Sequence, residues 1–518
     1  MISADAAEFV LTHESVAGPK RRNRRDPRPH FQVDRTAQLD PLMGSPAMQV
    51  PQEHAAWQVR EWVELFDTAE LEGRYSSLGR RGYHPKQLLG LWLLASLSGI
   101  HHATRLASAC KTDAAFRLVS GGHAPSATIL KDFRRNSEAF LMAAVARTVE
   151  LAVERGLVDP RQLAVDSMRL QADASTKSVR TVERSKKRLA ELAASPQPVD
   201  PSEQRARAEK VRKHEEALQR CEEEGRTSHS VTDPHAALMK FPNGAALPGH
   251  RVTVASSGMD NRFVVAVLIG AGTNDYGTLE TVVRASHEAL KAAGVPMRTG
   301  GTPMVVAADA GYWSEADLVF AQENRNWADI LINEPAPQSH GKNAAGEDYF
   351  KQSDFTIVGD QANCPAGRAM KGPLAAPAGR GLRWTGVGCG DCPLKSKCCA
   401  GKYRTLTHNP RLDEARVAMR NRMAEPGAVK RYGERIGTVE PVFSYIQDAM
   451  GFRRSSSRHT NTVRAEILLK VLAYNLTRLA MGRPLCVLYL EQLQSAGSWS
   501  LSCYRPDSST GSLFPSIL

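Results

Sequence analysis

The sequence predicts an α/β protein: a mixed sheet with flanking helices, an all-α region ahead of it and a cysteine-rich insertion within it. Three observations carry this. The run 304–308 (MVVAA) is apolar and ends at Asp309, before Ala310-Gly311 and a helical pattern over 314–324, which is the signature of a buried strand feeding a turn and a helix. Further short apolar runs at 161–165, 250–256, 263–269 and 328–332 alternate with helical patterns at 278–293 and 314–324, the alternation of a mixed α/β sheet. Residues 56–156 instead carry helical periodicity throughout.

The chain has 518 residues, enough for two to four domains and a sizeable core. Hydrophobic residues at 42% and charged residues at 24% are those of an ordinary water-soluble protein. The net charge of +12 and a pI near 9.3 favour polyanionic partners, nucleic acid first among them. The longest apolar run, 88–97, is too short to span a bilayer, and the N-terminus lacks the basic start and apolar core of an export signal. Nine cysteines, several in a tight cluster, then favour metal over disulfides. The expected location is the cytoplasm of a bacterium-like cell, at the nucleoid, with no membrane partner.

Taken in order, the chain opens with a basic run at 20–28 (KRRNRRDPR), which reads as a solvated arm able to grip phosphates. His84-Pro85 and Pro125-Ser126 are helix starts. Lys131, Arg134 and Arg135 on the segment after Ser126 suit a helix-turn-helix-like grip on DNA; an all-α packing unit with a charged outer face is the other reading. The strand at 161–165 ends in Asp166. Two highly charged helical stretches, 178–194 and 204–224, form a hairpin to which no chemistry is assigned. The order of strands and helices from 161 to 332 is the one expected of an RNase H-like domain, which would set the Asp166 and Asp309 strands side by side. Asp309 alone also reads as a turn residue bonding its own backbone.

Paired carboxylates matter because two Mg²⁺ ions about 3.5–4 Å apart can serve the attacking and leaving oxygens of a phosphodiester. Magnesium keeps several waters, so a few acidic ligands suffice. The third carboxylate is sought in 431–447 (RYGERIGTVEPVFSYIQ). Glu440 is preferred because Val439 and Val442 tie its helix to the core, whereas Glu434, between Arg431 and Arg435, suits surface ion pairs.

VDSMRLQADAS, TDPHAALMK, VVAADAGYWSEADL, the cysteine cluster, GTVEPVFSYIQ and LAYNLTRL, in that order between about 57 and 479, resemble insertion-sequence transposases with a DDE catalytic domain, of the eleven-eighty-two type. The resemblance implies an RNase H-like core in which Asp166, Asp309 and Glu440 hold two Mg²⁺ ions, with Mn²⁺ a substitute. The partners it implies are double-stranded DNA, both the element's inverted-repeat ends and the target, bound by a homodimer or larger assembly. Tyr432 and Arg435 match the family's glutamate motif and are expected to contact DNA, and Gln447 stands where that motif has a basic residue. Arg453 and Arg454 lie further along, in a basic stretch that either tracks a DNA strand or is a loop before the next helix.

Cys364, the Cys389-Gly-Asp-Cys392 pair and Cys398 have the number and softness of a structural Zn²⁺ site of zinc-ribbon type, with Cys399 able to replace Cys398. An insertion rich in Gly, Pro and Lys offers little apolar material, so the metal would supply folding free energy. The expected plan is a flexible basic arm (1–50), a helical DNA-binding domain (51–156), and the first part of the core (157–335) with a helical insertion (178–226). The cysteine-rich insertion (336–420), the last part of the core with the glutamate helix (421–482) and a disordered tail (483–518) complete it. The function expected is metal-dependent cleavage and strand transfer of element ends. A catalytically inactive DNA-binding regulator and a sequence-independent nuclease are the alternatives.

Overall fold

The computed structural model describes residues 29–39, 44–76, 79–223, 225–270, 277–295, 303–335, 343, 346–376 and 381–480. The basic run 20–28 and the expected tail 483–518 lie outside the described residues.

Among the described residues eight α-helices come first: α1 (Pro46–Gln49), α2 (Ala55–Trp62), α3 (Ala69–Glu72), α4 (Pro85–Leu97), α5 (Ala103–Thr112), α6 (Ala114–Val119), α7 (Ala127–Asn136) and α8 (Glu138–Glu154). Their starts are chemical. His84 accepts from the Lys86 N–H with Pro85 in the first turn, and Asp113 and Ser126 cap α6 and α7 in the same way. Every residue of α4 from Leu88 to Ser96 is buried, so this helix is a core pillar. Gly90 permits that packing, since a Cβ there would lie 2.8 Å from Val119 Cγ1.

The sheet follows. The elements of this region are β1 (Leu163–Gln171), β2 (Val179–Thr181), α9 (Val182–Ala194), α10 (Pro201–Glu223), β3 (Ser228–Ser230), β4 (Ala237–Lys240), β5 (Ala246–Ser257), β6 (Phe263–Gly270), α11 (Leu279–Ala292), β7 (Met304–Ala308), α12 (Glu315–Glu323) and β8 (Ala328–Ile332), of which β2 and β3 pair with each other in a two-stranded ladder apart from the main sheet. The order is β4-β5-β1-β7-β8, and β6 shares the far edge of β5 with β4. β1 is antiparallel to β5 and parallel to β7, which is parallel to β8. The sheet is therefore mixed. Asp317 bonds the Gly277 and Leu279 N–H groups at 2.9 and 3.3 Å and so caps the start of α11. The first strand departs from its expected end: β1 continues through Asp166 to Gln171, because Met168 and Leu170 still bury alternate side chains.

β9 (Thr356–Val358), β10 (Gln361–Asn363), β11 (Lys371–Ala375), β12 (Leu382–Thr385), α13 (Lys395–Cys398) and β13 (Thr405–His408) form the cysteine-rich region. It has its own core of Phe355, Ala362, Met370, Trp384, Cys398 and Leu406, more apolar material than its composition suggests. α14 (Pro410–Ala424) returns to the sheet, where Arg422 forms a buried two-pronged pair with Asp329 of β8. α15 (Ala428–Ser444) runs into a π-helical turn, and α16 (Thr460–Ala480) closes the fold.

α16 joins the helical region to the sheet. Its buried Asn475 accepts from the Val264 N–H (3.1 Å) and donates to the Val264 carbonyl and to Thr148 Oγ1 of α8 (2.9 and 3.0 Å). One side chain thus ties α8, β6 and α16 together. No helix among the described residues is long and apolar enough to cross a membrane.

Candidate active site

The parallel ladder of β1 on β7 ends with Val165 opposite Ala308, so Asp166 and Asp309 are the next residues on adjacent strands. Neighbouring strands lie about 4.8 Å apart, which brings both carboxylates to one place. Asp309 begins a short 3₁₀ turn but its side chain makes no capping bond, so the turn-residue reading fails here. The carboxylate faces α15 instead. Arg435 Nη1 donates to Asp166 Oδ2 at 2.7 Å and Nη2 to Asp309 Oδ1 at 3.2 Å. The Asp166 carboxylate is also held by the Ser167 N–H at 2.7 Å, and Ser167 Oγ accepts from Arg251 at 3.0 Å.

Burial alone would lower the pKa of Arg435, but the charges of Asp166 and then Asp309 outweigh it and hold it above the ordinary arginine value. The Tyr432 hydroxyl is pushed up, chiefly by burial. Its ring lies 5.9 Å from the Arg435 guanidinium. Asp309 keeps 45% of its side chain exposed and Asp166 21%. Two hard oxygen ligands with an open side, and a cation already between them, form a donor set that fits Mg²⁺ or Mn²⁺.

Glu440 is placed differently. Val439 and Val442 are fully buried, as its helix requires, while the Glu440 side chain is exposed and makes no ion pair or hydrogen bond among the described residues. It follows Arg435 by five positions, about 140° around the helix. Nothing in the contacts of the fold therefore draws it to the two aspartates. Glu434 is half-buried in a cleft with Arg161, Gln162, Arg431 and Thr438, without the surface ion pairs expected of it among the described residues.

The DNA-contact candidates divide by burial. Lys131 and Arg135 are exposed, the latter paired with Asp132 at 2.6 Å. Arg134 is a correction: it is buried, 3.4 Å from Glu466, and donates to Ser457 Oγ at 2.7 Å, so it holds the fold and cannot reach DNA. Arg435 is also turned inward, onto the carboxylates. Arg453 and Arg454 are exposed just past β1, paired with Asp448 and Asp173. Gln447 donates to Met168 Sδ at 3.4 Å.

Cys364, Cys389, Cys392, Cys398 and Cys399 line one cavity. A Cβ at Gly386 would lie 2.7 Å from Cys389 Sγ, so the cradle around that thiol needs glycine. Burial, and next the neighbouring Cys399, push the Cys398 thiol up to about 11. Cys399 bonds the Gly401 carbonyl at 3.6 Å. The soft donor set fits zinc. Arg368 and Arg404 around it bond the carbonyls of Gly388 (2.5 Å) and Phe350 (2.9 Å) and so brace loops.

Sequence reasoning missed Glu216, His235 and His459, which converge from separate segments. Only the histidine in TDPHAALMK hinted at them, and the hairpin carrying Glu216 reads as a solvated face.

Two family models match this chain. One, described as a Transposase domain (DUF772), spans residues 45–136, the region of α1 to α7; the other, a Transposase DDE domain, spans 363–480 and takes in the cysteine cluster, Glu434 and Glu440. Transposase domains thus stand at both ends of the fold. Both are matches to transposase domains, and they support a likeness to the insertion-sequence DDE transposases. Neither match reaches Asp166 or Asp309, and no curated protein matches the chain.

Proposed function

We propose that this transposase cuts the ends of its own element and joins them to target DNA, with Asp166, Asp309 and Glu440 as the acidic set on an RNase H-like core. The observation that carries the reading is the meeting of Asp166 and Asp309, from strands far apart in sequence, on the single guanidinium of Arg435. Two divalent ions, Mg²⁺ or in its place Mn²⁺, would supply when bound the activation of an attacking oxygen and the stabilisation of a leaving one. The protein's part is placement. Ser167 and Arg251 fix Asp166, the open side of Asp309 admits substrate phosphate, and Glu440 is free of internal partners among the described residues.

Lys131, Arg135, Arg453 and Arg454 are the exposed cations proposed to lie along double-stranded DNA, and a dimer would hold two ends at once. Cys364, Cys389, Cys392 and Cys398 are proposed to hold a structural Zn²⁺. Cleavage of DNA carrying the sequences that flank the gene, with Mg²⁺, tests the reading. End-specific cuts should appear in the wild type and vanish in Asp309→Asn and Glu440→Gln. Loss in Glu434→Gln with normal Glu440→Gln cutting would move the third carboxylate to Glu434. Binding without cutting in every protein would leave a regulator, and cuts without end preference a nuclease.

A further inference from the structure

Glu216 on α10, His235 between β3 and β4, and His459 just before α16 offer ligand atoms that all lie within 4.8 Å of one another. Glu216 Oε1 is 3.3 Å from His235 Nε2 and 3.9 Å from His459 Nδ1. Glu216 and His235 each have a second partner behind them. His235 Nδ1 lies 2.6 Å from Thr460 Oγ1, a bond that orients the ring and leaves Nε2 aimed at Glu216. The other Glu216 oxygen faces Arg212 at 3.6 Å.

Asp233 organises both histidines. Its buried carboxylate accepts from the backbone N–H of His235 and of His459, each at 3.3 Å, and its second oxygen is 3.1 Å from the buried His250 Nε2. His459 is held in left-handed backbone at φ 66, a conformation that most side chains avoid. The arrangement therefore fixes three donors from three segments around one point.

We infer that Glu216, His235 and His459 bind one first-row divalent transition ion of the zinc type, which clips the α9–α10 hairpin onto the sheet and onto the segment ahead of α16. Two imidazoles and one carboxylate suit zinc rather than magnesium, and a water fills the fourth tetrahedral position. Bonds of about 2.0–2.1 Å put tetrahedral ligands roughly 3.3–3.5 Å apart. Glu216 and His235 already stand at that spacing, His459 Nδ1 would close on Glu216 by about half an ångström, and all three donors lie within 4.8 Å of one another.

The test uses the full-length protein, stripped of metal and titrated with Co²⁺ and then Zn²⁺. A site of imidazole and carboxylate gives cobalt ligand-field absorption without the thiolate charge-transfer band of a cysteine site, so the two classes separate in one titration. The wild type should show the thiolate-free component. His235→Gln, His459→Asn and Glu216→Gln should each lose it, and Thr460→Val should weaken it by about 10–100-fold, with any thiolate band unchanged. Asparagine tolerates left-handed backbone, so His459→Asn keeps the fold while removing the ligand. Zn²⁺ should also slow tryptic cutting of the Lys- and Arg-rich hairpin in the wild type and make no difference in His459→Asn. A wild-type titration with thiolate sites alone, or a His459→Asn protein that titrates and digests like the wild type, overturns the inference and leaves a hydrogen-bonded cluster.

Discussion

Two arginines, read alike in the sequence, end in opposite roles. Arg134 meets one carboxylate, Glu466, in a site where the side chains are 5% and 2% exposed. Glu466 accepts from Ser455 Oγ (3.1 Å) and Ser456 Oγ (2.6 Å), while Arg134 donates to the His101 carbonyl (3.2 Å) and lies 4.5 Å over the Trp92 ring. Arg435 instead faces two carboxylates, and the outer one is 45% exposed. The first site pairs one guanidinium with one carboxylate and is sealed; the second has two carboxylates on one guanidinium and an open oxygen face. A buried pair with its hydrogen bonds made locks geometry, and breaking it strands a charge. An unbalanced, half-open pair attracts a further cation. The difference separates a strut from a candidate metal site more clearly than the residue types do.

The largest effects should fall on opposite sides of that comparison. Asp309→Asn should lower DNA cleavage by about four orders of magnitude, the scale of losing one member of a concerted catalytic set, while its urea midpoint stays near the wild type's. Arg134→Ala should do the reverse. It leaves Glu466 buried without its cation, a loss of about 3–5 kcal/mol, read as a lower urea midpoint with unchanged slope. An Asp309→Asn protein that unfolds as easily as Arg134→Ala would break the comparison.

Much of the sheet was legible because β6, β7, β8 and the centre of β5 are short apolar runs, as buried strands are. The end of β1 was not. Reading a strand as a continuous apolar run stops at Asp166, and only the alternation of buried Met168 and Leu170 with exposed Arg169 shows it continuing. Arg134 was misread for a different reason: its neighbours Lys131 and Arg135 are exposed, and its partner Glu466 lies on a helix 332 positions away. Ser455 to Ser457 lie in the stretch read either as tracking a DNA strand or as a loop, whereas their hydroxyls serve that buried pair. Local pattern gives the face of a helix, but a lone long-range partner leaves no local trace.

A third prediction sharpens the role of Arg435. If its guanidinium stands where a divalent cation would, Arg435→Gln should leave two facing carboxylates and destabilise the metal-free protein by roughly 1–2 kcal/mol, a buried-pair loss discounted for the exposure of Asp309. Mg²⁺ should then restore stability by binding the native state. The melting shift on adding Mg²⁺ should exceed that of the wild type. Equal shifts in the two proteins would show that Arg435 and the ion do not share a place.

The last effect concerns pH and belongs to the sealed site. Lys470 is fully buried beside it, with Nζ 3.0 Å from Ser96 Oγ, and burial drives its pKa down to about 7 from 10.5. Between those values the unfolded chain binds the proton and the folded one does not, so stability from this group rises with pH and is lost on acidification toward 7. His101 has the same sign lower down: burial, and next the charge of Lys470, push it to about 4 from 6.5, so stability falls as pH drops through that window. Melting temperature should therefore climb in two steps, and Lys470→Met should flatten the alkaline one alone. Arg134 adds to the lowering of Lys470 while Glu466 opposes it. Arg134→Ala should accordingly raise the lysine's pKa and shrink the alkaline step, and Arg435→Gln should leave that step intact. A step that shrank equally in both variants would mean that the two arginine sites are not electrostatically separate.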